Sequence, residues 1–308
     1  MRSWKVRLFA AALIAAAAMG LAALQPPSDP SPAAALVLHA TGDEARTADG
    51  WASGGDQAPL PLFSAQPLPL PAVPASALRN RGLVLCWHTF LGKPGISTDF
   101  SLAELGAQLD AIKALGFRFV DLRDLLAGRI EGPLNVAVTI DDGHRTIPGA
   151  VEKVLLPRGI RPTLFIYPAI IGNVPYAMTE DEVRRLAAEG CAIGAHGYHH
   201  LFINENLYRT DRASFNEEIY KAKARTERLY GLPILLFAYP YGAYSPITLS
   251  EVAKAGYFFG LAVKSGFVYA EAGLNSDYEL PRLVVTRDKW TDILALLKRE
   301  VAQEAALR

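Results

Sequence analysis

The sequence predicts an α/β protein whose β/α units close into a barrel. From Gly82 onward, short apolar, β-branched runs alternate with amphipathic segments, the pattern of a largely parallel sheet with helices between its strands. Seven or eight such units fit into about 220 residues, a size suited to a single closed barrel. Polar residues concentrate where the apolar runs end, at the carboxyl ends of the strands, where a barrel carries its chemistry.

The predicted strands are Leu83–Trp87, Phe117–Asp121, Asn135–Ile140, Thr163–Tyr167, Cys191–Ala195, Ile234–Ala238, Phe258–Val263 and Leu280–Thr286. Helices fit between most of them. Ser101 with Glu104, and Thr179 with Glu182, have the spacing of capping boxes, in which a hydroxyl and a carboxylate satisfy each other's orphan N–H groups. Gly116, Gly190, Gly231 and Gly256 stand where helices should stop. Leu102, Leu105, Leu109, Ile112 and Leu115 recur at helical spacing and read as a helix packed on the sheet.

The 308 residues carry 31 basic and 31 acidic side chains, so no net field draws the chain to nucleic acid or to an anionic membrane surface. Residues 1–24 read as a signal peptide or N-terminal anchor: Arg2, Lys5 and Arg7 precede an uncharged run from Leu8 to Leu24. Small residues offer cleavage points at Gly20-Leu21-Ala22 and Ala33-Ala34-Ala35. An uncleaved segment would be a short membrane tether. Both outcomes imply export, to the periplasm or the extracellular space. Residues 25–80 hold ten of the 21 prolines without an apolar period and read as a disordered spacer. Residues 81–308 form the single domain that follows.

Four strand ends hold the candidate chemistry. Asp141-Asp142-Gly143 closes an apolar strand, and alone it is equally a tight turn. His196-Gly197-Tyr198-His199-His200 contains three of the six histidines. His196 and His200, four apart, suit two imidazoles converging on one metal of the zinc type. Ala238-Tyr239-Pro240-Tyr241-Gly242 is either an aromatic turn or a rigid wall with a backbone N–H aimed into a site. His88 ends the first strand and, taken singly, is as readily structural as functional.

Together these segments resemble the polysaccharide deacetylase family, also called the NodB-homology family or carbohydrate esterase family four, from roughly Gly82 to Arg287. Thr139-Ile140-Asp141-Asp142-Gly143 matches its first motif with one apolar change, and His196 to His200 matches its second, with Gly197 in place of a hydroxyl residue. Ala238 replaces the arginine of the third motif, and no histidine follows His200. These departures resemble the permuted exopolysaccharide N-deacetylase branch, in which a strand has moved to the start of the domain.

The resemblance implies a distorted (β/α)7-type barrel in one catalytic domain. It implies Asp142, His196 and His200 as ligands of one divalent metal, zinc first, with nickel, cobalt or iron able to use the same donors. Asp141 is the implied base, His88 the acid, Tyr241 the donor of an oxyanion-binding N–H, and Arg282 the replacement for the missing arginine. The implied substrate is an N-acetylated polysaccharide, from which the enzyme, a hydrolase of linear amides, releases acetate. Trp87, Tyr198, Tyr239 and Tyr241 are candidates for stacking on sugar rings. Two other readings stay open: a carbohydrate-binding protein that kept the deacetylase fold with weak or no activity, and a metal amidase on a non-sugar substrate. Cys86 and Cys191 should face opposite sides of the sheet and form no disulfide.

Overall fold

The computed structural model describes residues 80–270 and 276–307. The expected N-terminal segment, nearly all of the spacer and His39 lie outside the described residues. In chain order the elements are β1 (Arg81–Trp87), α1 (Leu102–Ala114), β2 (Arg118–Val120), α2 (Leu122–Leu126), β3 (Asn135–Asp142) and α3 (Ile147–Ala150). There follow β4 (Thr163–Ile166), α4 (Glu180–Ala188), β5 (Ala192–Ala195), α5 (Glu205–Thr210), α6 (Arg212–Asn216), α7 (Ala222–Tyr230) and β6 (Leu236–Ala238). The chain continues through α8 (Pro246–Lys254), β7 (Phe259–Val263), β8 (Val268–Tyr269), β9 (Asp277–Val284) and α9 (Trp290–Ala306). Among the described residues no helix is long and apolar enough to cross a membrane.

Seven strands close a parallel ring in the order β1-β3-β4-β5-β6-β7-β9, with β9 returning to β1 through Leu85–Leu283 and Cys86–Val284. Two strands stand outside the ring. The predicted strand Phe117–Asp121 is reduced to β2, which pairs only with the opening residues of β3. The two-residue β8 lies antiparallel to the start of β1 and was not expected from the sequence.

Alternation divides the strands between two apolar layers. Leu83, Leu85 and Trp87 of β1, with Val136, Val138 and Ile140 of β3, pack against Leu105, Leu109 and Ile112 of α1 in the layer beneath the helices. Val84, Ala137, Phe165, Leu236, Ala238 and Leu261 form the second cluster, inside the barrel, with Leu122, Leu125 and Leu126 of α2. The same parity sends Cys86, Thr139, Asp141 and Arg282 inward.

Both expected capping boxes form, Ser101 with Glu104 and Thr179 with Glu182. Gly116, Gly190, Gly231 and Gly256 all take the left-handed conformation after their helices. Cys86 and Cys191 are both free, Cys191 belonging to the helix-side layer and Cys86 lying beside Asp141 in the interior. Trp87 and Tyr239 are fully buried in the helix-side core, so neither is available to a sugar.

Gly194 of β5 has no left-handed backbone, yet a Cβ there would overlap the Phe165 ring and approach the Leu236 carbonyl at 3.2 Å. Gly194→Ala should therefore destabilise the barrel by about 1–3 kcal/mol through overpacking. Urea unfolding followed by circular dichroism checks this, and wild-type stability would show an interior looser than the contacts indicate.

Candidate active site

Three strand ends turn sharply at one rim of the barrel. Asp142 has φ 74° and is followed by Gly143 at 88°, where a Cβ would meet Ile171 Cδ1 at 2.7 Å. After β5, Gly197 lies at 73° and His200 at 66°. After β6, Tyr241 lies at 59° and Gly242 at 70°, the latter facing Val263 so closely that a Cβ would sit 2.6 Å from it. Asp142, His200 and Tyr241 are the three non-glycine residues with left-handed backbone among the described residues, and all three belong to this rim. Such conformations cost about 1–3 kcal/mol each and persist where the surroundings over-determine them.

The turns bring the predicted ligands together. Nε2 of His196 and Nε2 of His200 are 3.2 Å apart, and Asp142 Oδ1 lies 3.6 Å from the first and 3.4 Å from the second. Tetrahedral zinc with bonds of ~2.0–2.1 Å holds its ligands about 3.3–3.4 Å apart, so the three atoms already form one face of such a site. His196 Nδ1–H donates to the Ala238 carbonyl at 2.8 Å, which leaves the lone pair of the neutral ring on Nε2, pointing at the other ligands. Asp142 Oδ1 is buried with no hydrogen-bond partner, a cost that a cation would remove. Burial, and then the adjacent His196, push His200 down to about 4, so at neutral pH its ring is in the ligating form. Residues and geometry therefore fit a divalent metal.

Asp141 sits beside this cluster. Arg282 Nη1, reaching inward from β9, donates to Asp141 Oδ1 at 2.6 Å, and the two side chains are 1% and 2% exposed. The other carboxylate oxygen, Oδ2, is 3.5 Å from His196 Nε2. Burial alone would raise the Asp141 pKa, but the Arg282 charge outweighs it, and His196 and His88 add to the effect, holding the carboxyl well below the usual range. Ala238, where an arginine is expected, is a small interior residue, and Arg282 occupies the vacant side of the carboxylate. His88 has a ring nitrogen within 4.8 Å of an Asp141 oxygen and of Cys86 Sγ. It is thus a neighbour of Asp141. Its Nδ1 is buried and unpartnered, and burial lowers its pKa against the pull of the two aspartates. Burial likewise raises Cys86 well above the ordinary thiol range, so it is an inert neighbour.

The remaining candidates separate by their partners. His144 Nδ1 is braced by Thr146 Oγ1 at 2.8 Å, and His199 Nε2 by Glu217 at 3.1 Å, both outside the ligand cluster. Tyr198 is half-buried beneath Lys221. The Tyr241 side chain is 58% exposed, its ring 4.5 Å from that of His200 and stacked at 4.0 Å and 8° on Phe202, itself 53% exposed. Phe202 escaped the sequence reading because a lone aromatic after a polar loop has no periodicity to mark it. Glu218 also escaped it. Its buried carboxylate accepts the N–H groups of Tyr198, His199 and Leu201, supporting the loop where Gly197 lacks a hydroxyl.

Residues 131–260 match the model of the family described as polysaccharide deacetylase. Over that span the chain is similar to the polysaccharide deacetylase family. The matched segment holds Asp141, Asp142, His196, His200 and Tyr241, while His88 and Arg282 lie on either side of it. The structure of IcaB from Ammonifex degensii superposes with a TM-score of 0.62 at 26% identity, over 71% of this chain and 97% of that one. Among curated proteins, YxkH of Bacillus subtilis (strain 168) is 26% identical over 151 residues, 49% of this chain and 51% of its own. A chitin deacetylase of Colletotrichum lindemuthianum is 30% identical over 92 residues, 30% of this chain and 37% of its own. The chain thus spans about half or less of the length of these two relatives.

Removing Arg282 leaves a buried, uncompensated carboxylate. Arg282→Met should cost about 3–5 kcal/mol at pH 7. A depressed folded pKa stabilises above the unfolded value, near 4, and this contribution is lost as pH falls through the folded value. The gap between wild type and Arg282→Met in urea unfolding should therefore narrow as pH is lowered from 5 towards 2. A gap independent of pH would contradict the ion-pair account.

Proposed function

We propose that this protein hydrolyses N-acetyl groups from an amino-sugar polysaccharide outside the cytoplasm, using one divalent metal and releasing acetate. The observation that carries the proposal is the three-atom ligand face of Asp142, His196 and His200 beside an aspartate held ionised by Arg282. A divalent cation, zinc first by its donor set, would supply Lewis acidity towards the acetyl carbonyl and a water of lowered pKa.

The chain's own groups then divide the proton work. Asp141, ionised across the neutral range, takes a proton from the attacking water. Burial keeps His88 neutral at rest, and its nearness to Asp141 lets it take up that proton and deliver it to the departing nitrogen. One water thus supplies the hydroxyl that completes acetate and the proton that completes the amine. The Tyr241 N–H, fixed by its left-handed backbone, donates to the oxyanion of the tetrahedral intermediate.

A sugar substrate is favoured by the exposed Tyr241–Phe202 stack beside the ligands, a flat apolar face of the kind that pyranose rings cover. Ala238 and Gly197, the two departures from the family motifs, are compensated by Arg282 and Glu218, which supports an active enzyme over an inactive binding protein. The charged start and apolar run of residues 1–24 support export, with tethering if the segment is retained.

Acetate release from N-acetylated glucosamine oligomers, with zinc restored, is the direct assay. Asp142→Ala, His196→Ala and His200→Ala should lose zinc and activity together. Asp141→Asn and His88→Ala should keep zinc and lose about two to four orders of magnitude in turnover, the usual effect of removing a general base or acid. Asp141→Asn emptying the site while Asp142→Asn retained zinc would exchange the two roles.

A further inference from the structure

The loop that carries His196 and His200 is gripped by a helix to which the chemistry above gives no part. Between α6 and α7, residues Glu217–Lys221 form a single π-helical turn. Such a turn interrupts the regular ladder and is found mostly where it serves a site. Here the buried Tyr257 hydroxyl donates to the Ile219 carbonyl at 3.1 Å, propping the irregular segment from the next layer. Its product is the placement of Glu218, a charged residue fully buried between Phe215, Ile219 and Ala222.

Glu218 has no cationic side-chain partner among its hydrogen bonds. Instead Oε1 accepts the His199 N–H at 2.6 Å, and Oε2 accepts those of Tyr198 and Leu201, each at 3.1 Å. Two residues of the same turn grip the loop's side chains: Glu217 lies 3.1 Å from His199 Nε2, and Lys221 Nζ lies 4.1 Å over the Tyr198 ring. Gly197 follows from this arrangement. Its φ of 73° suits glycine, and any Cβ would overlap Glu218 Oε2.

We infer that Glu218 is the positioning residue of the metal loop. It binds the backbone between the two histidines and just after the second, holds His200 in its left-handed conformation, and orders both imidazoles before the cation arrives. Ordering cost is then met during folding, which strengthens the binding that follows. The inference rests on Asp142, His196 and His200 being the metal ligands.

The test is zinc affinity of the full chain, by competition with a chromophoric chelator, for wild type and Glu218→Gln. The amide keeps the size but turns one acceptor into a donor facing N–H groups. Zinc affinity should fall by about 10- to 100-fold, the usual effect of losing a group that orients metal ligands, while kcat recovers at saturating zinc. Asp181→Asn, which removes an exposed carboxylate of α4 that pairs with Arg184 away from the loop, should leave the affinity unchanged. Independently of any variant, hydrogen exchange on metal-free wild type should show the Tyr198, His199 and Leu201 amides already protected. This decides the matter if Glu218→Gln does not fold. Equal zinc affinity in folded Glu218→Gln, or amides protected only after zinc is added, overturns the role alone. A wild-type chain that binds no zinc overturns the metal reading and this role together.

Discussion

The site depends on one buried ion pair. Asp141 and Arg282 face each other inside a barrel whose other inward side chains are largely apolar, and neither charge is tolerable there without the other. Their meeting requires that β3 and β9, separated by most of the domain, both flank β1 with inward parity at these positions. A one-residue slip of either strand would turn the group into the helix layer. Closure of the seven-stranded ring and ionisation of the base are therefore one structural condition. With Oδ1 committed to Arg282, only Oδ2 is left facing the ligand cluster. This explains why two adjacent carboxylates take different roles.

Strain is concentrated at the same rim. Asp142, His200 and Tyr241 hold left-handed backbone where glycine would be easier, and each stands beside or near a glycine that completes the turn. The surroundings that fix them are specific: Ile171 against Gly143, Val263 against Gly242, and the Glu218 carboxylate beneath Gly197. The rim is thus preorganised by packing and hydrogen bonds from outside the ligand set, consistent with three ligand atoms already at tetrahedral-edge separations.

Local rules made much of this legible in the sequence. Capping boxes at Ser101 and Thr179, and the helix-stopping glycines, depend on neighbours in sequence and formed as read. Strand ends at Asp141, His196, Tyr241 and His88 were also recognisable, because an apolar run that stops in polar residues marks a rim. What depended on closure was not. Phe117–Asp121 has the composition of a barrel strand, but β3 switches from β2 to β4 as it rises, leaving β2 outside the ring. Arg282 was reached only by family resemblance, since nothing near it in sequence shows that it will face Asp141. Glu218 left one trace, a charged residue on the buried face set by Phe215, Ile219 and Ala222, which a solvated-face reading of the charge run obscures. His88 was assigned to the correct rim, but its distance to Asp141 is set by barrel curvature, which periodicity does not encode.

The most direct measurement is anomalous diffraction at the zinc edge from crystals of the zinc-loaded protein. The account predicts one peak, within bonding distance of Asp142, His196 Nε2 and His200 Nε2, with Asp141 still paired to Arg282. A peak centred on the neighbouring Cys86, His88 and Asp141 cluster, or an Asp141 that has left Arg282 to become a principal ligand, would contradict it.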